Sequence, residues 1–171
     1  MEQGVVRASK SPYASPALLV PKGADAFRMF IDYRKVKSKI VFDSYPMPTI
    51  DHAFKQLGGA VVFFVFDLNS THYQIPLSVR GRLVTAFCTP NGLFEFNKLP
   101  MGISVGSQVL SRVIDELLAD LKGKLVFNFL YDLIVYSPSM EEHMSHVRKV
   151  LRRLKESGFT LNPDKVTFGA T

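Results

Sequence analysis

The run AVVFFVFDL, residues 60–68, constrains the fold more than any other part of the sequence. Nearly all of its residues are β-branched or aromatic, which is the composition of a β-strand buried on both faces. A single carboxylate, Asp67, lies close to the carboxyl end of the run. The sequence therefore predicts a core strand that carries an acidic side chain near its end.

Other apolar runs predict further strands, and turn residues join them in pairs. The predicted pairs are residues 17–20 with 27–34, joined at KGAD (22–25); residues 85–96, with the turn at 90–92; and residues 125–136, with the turn at 130–132. Periodic apolar spacing predicts helices between these strands. The helices cover residues 50–57 behind the N-cap Thr49, residues 105–121 over more than four turns, and the stretch from SPSM at 137–140 to Gly158. This order predicts an α+β fold with helices packed on one face of an antiparallel sheet.

Composition limits the class of protein without identifying its function. A length of 171 residues suits one domain. Lys and Arg outnumber Asp and Glu by 21 to 15, and the net charge of +6 favours a polyanionic partner such as nucleic acid. Cys88 is the one cysteine, so no internal disulfide is possible; we expect an intracellular setting and a small core residue at this predicted strand position. No apolar stretch predicts a signal peptide or a membrane span, so we expect no membrane partner.

Two carboxylates in the predicted elements suggest metal chemistry. Phosphoryl transfer by two metal ions about 3.5–4 Å apart needs carboxylates on rigid supports. Asp67 at a strand end and Asp132 in a hairpin turn have suitable positions, although a strand-end aspartate is more often a turn former or a cap. The pair alone is therefore weak evidence for a metal site.

The combination of motifs is more specific. The segments SPYASPALLVPK, FRMFIDYR, SYPMPTID, QLGGA, FDLNSTHYQIPL, TAFCTPNGLFEFNKLPMG and LNPDK follow one another over residues 4 to 168. In order and spacing they resemble the reverse transcriptase of gypsy-class LTR retrotransposons, an RNA-directed DNA polymerase carried in a pol polyprotein. The resemblance implies the fingers and palm of a right-hand polymerase, with a ferredoxin-like antiparallel palm sheet. It places the fingers at about 1–59 and 78–103 and the palm at 60–77 and 104–171, within a single domain of 1–171.

The resemblance also implies roles for individual residues. Asp67 matches the family's first metal-binding aspartate, and Asp132 matches a second. Two Mg²⁺ ions are the implied cofactor, with Mn²⁺ as a substitute. The implied contacts to the incoming nucleotide and the template are Lys22, Arg28, His72, Tyr73, Gln74, Met101 and Gly102. The implied partners are an RNA or DNA template with its primer, and deoxynucleoside triphosphates.

The sequence departs from the family pattern at the metal site. Where the family has two adjacent aspartates, this chain has Tyr131 followed by Asp132. A tyrosine side chain is neutral at pH 7, so one metal-binding charge is missing. His72 occupies the position where the family has the aromatic residue that checks the nucleotide sugar, and Tyr73 lies beside it. The segment VGSQVLSR at 105–112 also differs in sequence from the corresponding family segment. We therefore expect this copy to bind metal poorly and to be impaired or inactive.

Other expectations follow from the match. The thumb, RNase H, protease and integrase segments of the family are expected to be absent from residues 1–171. The expected location is cytoplasmic, in virus-like particles, or nuclear. A noncatalytic nucleic-acid-binding module, or a decayed fragment of an element, is the alternative to an enzyme. His143 and His146, three residues apart, are a weak candidate metal pair, and the basic residues of 148–155 either contact phosphate or form a solvated helix face.

Overall fold

The computed structural model describes residues 4–23, 26–68 and 70–168, with the backbone alone at Phe168. The described strands are β1 Val6–Ala8, β2 Ser15–Pro21, β3 Phe27–Ile31, β4 Val62–Asp67, β5 Phe87–Thr89, β6 Gly92–Phe96, β7 Val126–Phe129, β8 Asp132–Ser137 and β9 Thr167–Phe168. The α-helices are α1 Arg34–Lys37, α2 Ile50–Leu57, α3 Val79–Val84, α4 Gly106–Leu117 and α5 Met140–Glu156. None of the helices in these ranges has the length and apolar character needed to cross a bilayer.

The chain forms two compact units. The first unit is Met1–Asp43 with His72–Gly106, and the second is Ser44–Thr71 with Ser107–Thr171. Compactness alone defines these bounds, so the division into fingers and palm segments stays a prediction.

The first unit is built on a five-stranded sheet in the order β1-β6-β5-β2-β3. The β2–β5 pair is parallel and the other pairs are antiparallel. The predicted strand pair β2–β3 and the predicted hairpin β5–β6 are both confirmed. Of the predicted turn at 22–25, residues 24 and 25 lie outside the described residues, while the Lys22 N–H donates to the Ala26 carbonyl at 2.7 Å.

Aromatic and aliphatic side chains fill the core of the first unit. This cluster is Ile31, Tyr33, Val36, Phe87 and Phe96. Cys88 does not join it: the prediction of a core cysteine is wrong, and its side chain is exposed. Successive side chains of a strand point to opposite faces, so burial of Phe87 directs Cys88 outwards.

The second unit is built on a four-stranded antiparallel sheet in the order β7-β8-β4-β9. The predicted strand β4 and the predicted hairpin β7–β8 are confirmed, as is the α+β fold. Burial of β4 on both faces is not observed: Phe64 and Phe66 are buried, whereas Phe63 and Val65 are half-buried. The buried face is the one that α5 covers, since the ring of His143 lies 4.3 Å from that of Phe64.

One predicted helix begins at its expected cap, and another ends earlier than predicted. The Thr49 side chain caps α2 as predicted, accepting a hydrogen bond from the His52 N–H. The predicted helix over 105–121 ends earlier, at Leu117. Arg153 donates to the Leu117 carbonyl at 2.9 Å and pairs with Asp120, so a side chain from α5 takes the carbonyl that a longer helix would use.

Burial of His143 predicts a loss of stability in mild acid. Burial, and then the neighbouring His146, lower the pKa of His143 below its usual value of 6.5. Well above pH 6.5 this group is neutral in both the folded and the unfolded chain. As the pH falls through 6.5 the unfolded chain binds more protons at this group than folded His143 does, so the unfolding free energy falls, by at most about 1.4 kcal/mol at pH 5.5.

Urea unfolding at pH 7.5 and 5.5 measures this loss. His143→Gln should reduce it, leaving a remainder from His72, whose pKa burial also lowers. An undiminished loss in His143→Gln would show that another group is responsible.

Candidate active site

Two carboxylates lie opposite each other at one end of the second unit's sheet. Asp67 is the last residue of β4, Asp132 is the first residue of β8, and the two are direct partners in the antiparallel register. The Asp67 side chain is 22% exposed and Asp132 is exposed, so solvent ions reach both. Partial withdrawal of the Asp132 carboxyl from water raises its pKa, and the charge of Asp67 raises it further. The pair therefore forms a locally anionic site.

The turn that leads into Asp132 is strained. Phe129 and Asp132 pair directly, so Leu130 and Tyr131 form a two-residue turn, at the predicted position. Leu130 has φ 60°, a left-handed conformation that costs a non-glycine residue about 1–3 kcal/mol. The Tyr131 hydroxyl lies 2.8 Å from Ser107 Oγ, at the start of α4. A hydrogen bond therefore connects the turn to this helix.

A lysine completes the charges of the site. Lys165 Nζ donates to Asp67 Oδ2 at 2.6 Å, and its side chain is 65% exposed. The hydrogen bond that Lys165 donates to Asp67, then the charge of Asp67 and that of Asp132, raise the pKa of Lys165. We did not predict this residue as part of the site. The sequence feature that could have identified Lys165 is the LNPDK segment, because its Asn-Pro turn places one lysine just before β9.

The predicted nucleotide contacts all belong to the first unit. Lys22 follows β2 directly, and Arg28 is an exposed residue of β3 opposite Val20. Met101 is exposed and precedes Gly102, whose φ of +90° suits glycine. An open cavity of about 370 Å³ borders Gly102; the charged residues lining it are Asp32, Arg34 and Lys37.

The segment 71–74 carries three of the predicted nucleotide contacts, His72, Tyr73 and Gln74. It is a single turn of 3₁₀ helix, Thr71–Gln74. Burial lowers the pKa of His72, and a Cβ atom on Gly106 would lie 3.3 Å from His72 Nε2. Tyr73 stacks on Phe96 with ring centroids 6.1 Å apart. Gln74 ends the 3₁₀ helix and is half-buried.

The histidine pair has a hydrogen-bonded partner in the same unit. His143 Nδ1 and His146 Nδ1 lie 2.9 and 2.7 Å from Ser137 Oγ. Within residues 4–23, 26–68 and 70–168, no three His, Cys, Asp or Glu side chains form a group that could hold a metal ion. Of the predicted carboxylate ligands, Asp67 and Asp132 are thus brought together as a pair of cross-strand partners, without a third such side chain among the described residues.

Solved structures share this architecture. A crystal structure of prototype foamy virus protease-reverse transcriptase aligns with 98% of this chain and 22% of its own, at 21% identity and a TM-score of 0.86. A foamy viral protease-reverse transcriptase in complex with an RNA/DNA hybrid aligns with 98% of this chain and 22% of its own, at 22% identity and a TM-score of 0.84. The fold is thus the fingers–palm fold of a right-hand polymerase.

Sequence comparison gives the family. The chain belongs to the reverse transcriptase (RNA-dependent DNA polymerase) family, whose sequence profile matches residues 20–171. It is 35% identical to the retrovirus-related Pol polyprotein from transposon gypsy of Drosophila melanogaster, and 30% identical to the transposon Tf2-3 polyprotein of Schizosaccharomyces pombe. Both matches cover 98% of this chain, but 17% and 13% of the respective relatives. The predicted family is confirmed, and the chain spans about a sixth of the gypsy polyprotein.

Proposed function

We propose that the chain is the part of a reverse transcriptase that carries the metal-binding carboxylates for template-directed deoxynucleotidyl transfer. The observation that carries this proposal is the direct cross-strand pairing of Asp67 and Asp132. Two adjacent strands hold the carboxylates in a fixed register, which is the rigid support that two-metal chemistry needs.

The donor set fits a divalent ion in part. Carboxylate oxygens suit Mg²⁺ and Mn²⁺. Burial and then the charge of Asp67 raise the pKa of Asp132, and a bound cation would offset the repulsion between the two carboxylates. Two such ions, when bound, activate a primer 3′-hydroxyl and stabilise the leaving group. Tyr131 offers a neutral hydroxyl, bonded to Ser107, where the family has a carboxylate. We infer that metal binding at Asp67 and Asp132 is weak and that activity is correspondingly low.

The proposed partners are a primer–template and a deoxynucleoside triphosphate. Lys22 and Arg28 supply positive charge for the triphosphate, Arg28 through its bidentate fork. His72, Tyr73, Gln74, Met101 and Gly102 are proposed to contact the nucleotide or the template. The RNA/DNA hybrid in the foamy viral complex and the net charge of +6 support a nucleic-acid partner.

A noncatalytic nucleic-acid-binding module is the second candidate. The observation that favours it is the pairing of Asp67 with Lys165, which gives this carboxylate a protein cation as its partner. Binding needs the basic charge and the fold, whereas catalysis needs the carboxylates to accept metal ions.

Primer extension on poly(rA)–oligo(dT), with Mg²⁺ and then Mn²⁺, tests the proposal. We expect weak, Mn²⁺-favoured extension that Asp67→Asn reduces by at least about a hundredfold, since metal-assisted catalysis contributes several kcal/mol. Asp51→Asn, an exposed aspartate of α2 in the same unit, is the matched control and should retain the activity.

Salt-dependent binding of the same primer–template distinguishes the two candidates. The binding module would be favoured if both the unaltered chain and Tyr131→Asp bind the primer–template but extend the primer with neither Mg²⁺ nor Mn²⁺. Extension that survives Asp67→Asn would contradict the proposed metal site.

A further inference from the structure

The segment after α5 is fixed against the end of β4 by its backbone. The Asn162 N–H donates to the Asp67 carbonyl at 2.9 Å, and Leu161 forms an antiparallel bridge with Leu68. Beyond Lys165, Thr167 pairs with Val65 of β4. Contacts on both sides therefore hold the short 3₁₀ turn that carries Lys165.

The same turn is stabilised from within. The Asn162 side chain accepts a hydrogen bond from the Asp164 N–H at 3.1 Å, and Pro163 begins the 3₁₀ helix Pro163–Lys165. A lysine on a tethered turn loses less freedom on pairing than one on a mobile loop. The backbone contacts around Lys165 thus position it for the ion pair with Asp67.

The negative charges at this end of the sheet are partly balanced by one lysine. Asp67 and Asp132 contribute the negative charges, and Lys165 contributes a positive charge that interacts with both. Tyr131 adds no charge where the family has a carboxylate. A single positive charge therefore offsets a larger share of the site's negative charge than it would beside three carboxylates.

We propose that Lys165 is a resident counter-ion that competes with divalent cations for Asp67 and so sets how tightly this site takes up a metal. The inference rests on the proposed function, because it assumes that Asp67 is a metal ligand. Lys165 Nζ lies at hydrogen-bonding distance from Asp67 Oδ2, so a cation bound at that oxygen must displace the ammonium or lie close to it. Even in water, the repulsion between two like charges about 4 Å apart weakens binding affinity by about fivefold.

Binding of Mn²⁺ alone tests this inference without any catalytic step. The electron paramagnetic resonance signal of free Mn²⁺, titrated at pH 7.5, reports the affinity of the unaltered chain and of its variants. Lys165→Gln is expected to tighten Mn²⁺ binding by about fivefold or more. Lys165→Arg keeps the positive charge and should stay within about twofold of the unaltered chain. Lys149→Gln removes an exposed lysine of α5 as the matched control and should also leave the affinity unchanged.

Asp67→Asn separates failure of this inference from failure of the proposed function. If Asp67→Asn abolishes Mn²⁺ binding while Lys165→Gln leaves it unchanged or weaker, Asp67 is a ligand and the counter-ion role is wrong. If Asp67→Asn binds Mn²⁺ as the unaltered chain does, the proposed metal site is wrong, and the counter-ion inference fails with it. Equal tightening by Lys165→Gln and Lys149→Gln would indicate a general effect of net charge and would overturn the specific role of Lys165.

Discussion

Replacing Tyr131 by aspartate is expected to raise Mg²⁺-dependent primer extension by about a hundredfold or more. Under the proposed function, the substitution would supply a third metal-binding carboxylate, at the turn residue that precedes Asp132. Metal-assisted catalysis contributes several kcal/mol, and each 1.4 kcal/mol or so corresponds to a tenfold change in rate. Initial rates on poly(rA)–oligo(dT), with the unaltered chain measured in parallel, give the result.

Two controls separate charge from shape at this position. Tyr131→Asn has the size of the aspartate without its charge, and Tyr131→Phe removes the hydrogen bond to Ser107 while keeping the ring. Both should leave extension at the level of the unaltered chain. A gain in Tyr131→Asn equal to that in Tyr131→Asp would show that the bulk of tyrosine, and not the missing charge, limits the reaction.

Truncating Leu133 to alanine is expected to lower the unfolding free energy by about 2–5 kcal/mol. Leu133 is 0% exposed, and on β8 it pairs with Phe66 of β4 and Asn128 of β7. The loss combines the transfer of buried methyl groups with the cavity that they leave. Because Leu133 adjoins Asp132, the same change should loosen the carboxylate pair.

Urea unfolding monitored by circular dichroism measures the effect of Leu133→Ala. Ile134→Ala is the control on the same strand, since Ile134 is half-buried and should lose clearly less stability. Equal losses in the two variants would contradict the assignment of Leu133 to the core.

The elements that local sequence determines were predictable. Strand β4 follows from a run of β-branched and aromatic residues, and the β7–β8 hairpin follows from two apolar runs around residues 130–132. The 3₁₀ helix Thr71–Gln74 was not predicted, because four residues are too few to show a helical period. The end of α4 depends on Arg153, a residue 36 positions beyond Leu117, which no local pattern reveals.

The candidate site also contains residues that the sequence predicted and contacts that it did not. Asp67 and Asp132 were identified from their strand-end and turn positions and from the family match, and the register then made them direct partners. The contact of Lys165 with Asp67 joins residues 98 positions apart and depends on the path of the chain after α5. The bond between Tyr131 and Ser107 joins residues 24 positions apart, and Leu130 beside it has a left-handed conformation that leucine itself does not favour.

Ser137, which two imidazoles share, limits the tautomers of both rings. A serine hydroxyl has one hydrogen and two lone pairs, so it donates to at most one ring and accepts from at least one. Within the described part of the chain His143 Nε2 is buried without a partner, and a buried unpaired lone pair costs less than a buried unpaired N–H. The hydrogen of His143 therefore belongs on Nδ1, where Ser137 accepts it, and the serine hydrogen is then available to His146 Nδ1. With that hydrogen donated to His146, the three side chains form a hydrogen-bond chain that runs in one direction, from His143 through Ser137 to His146.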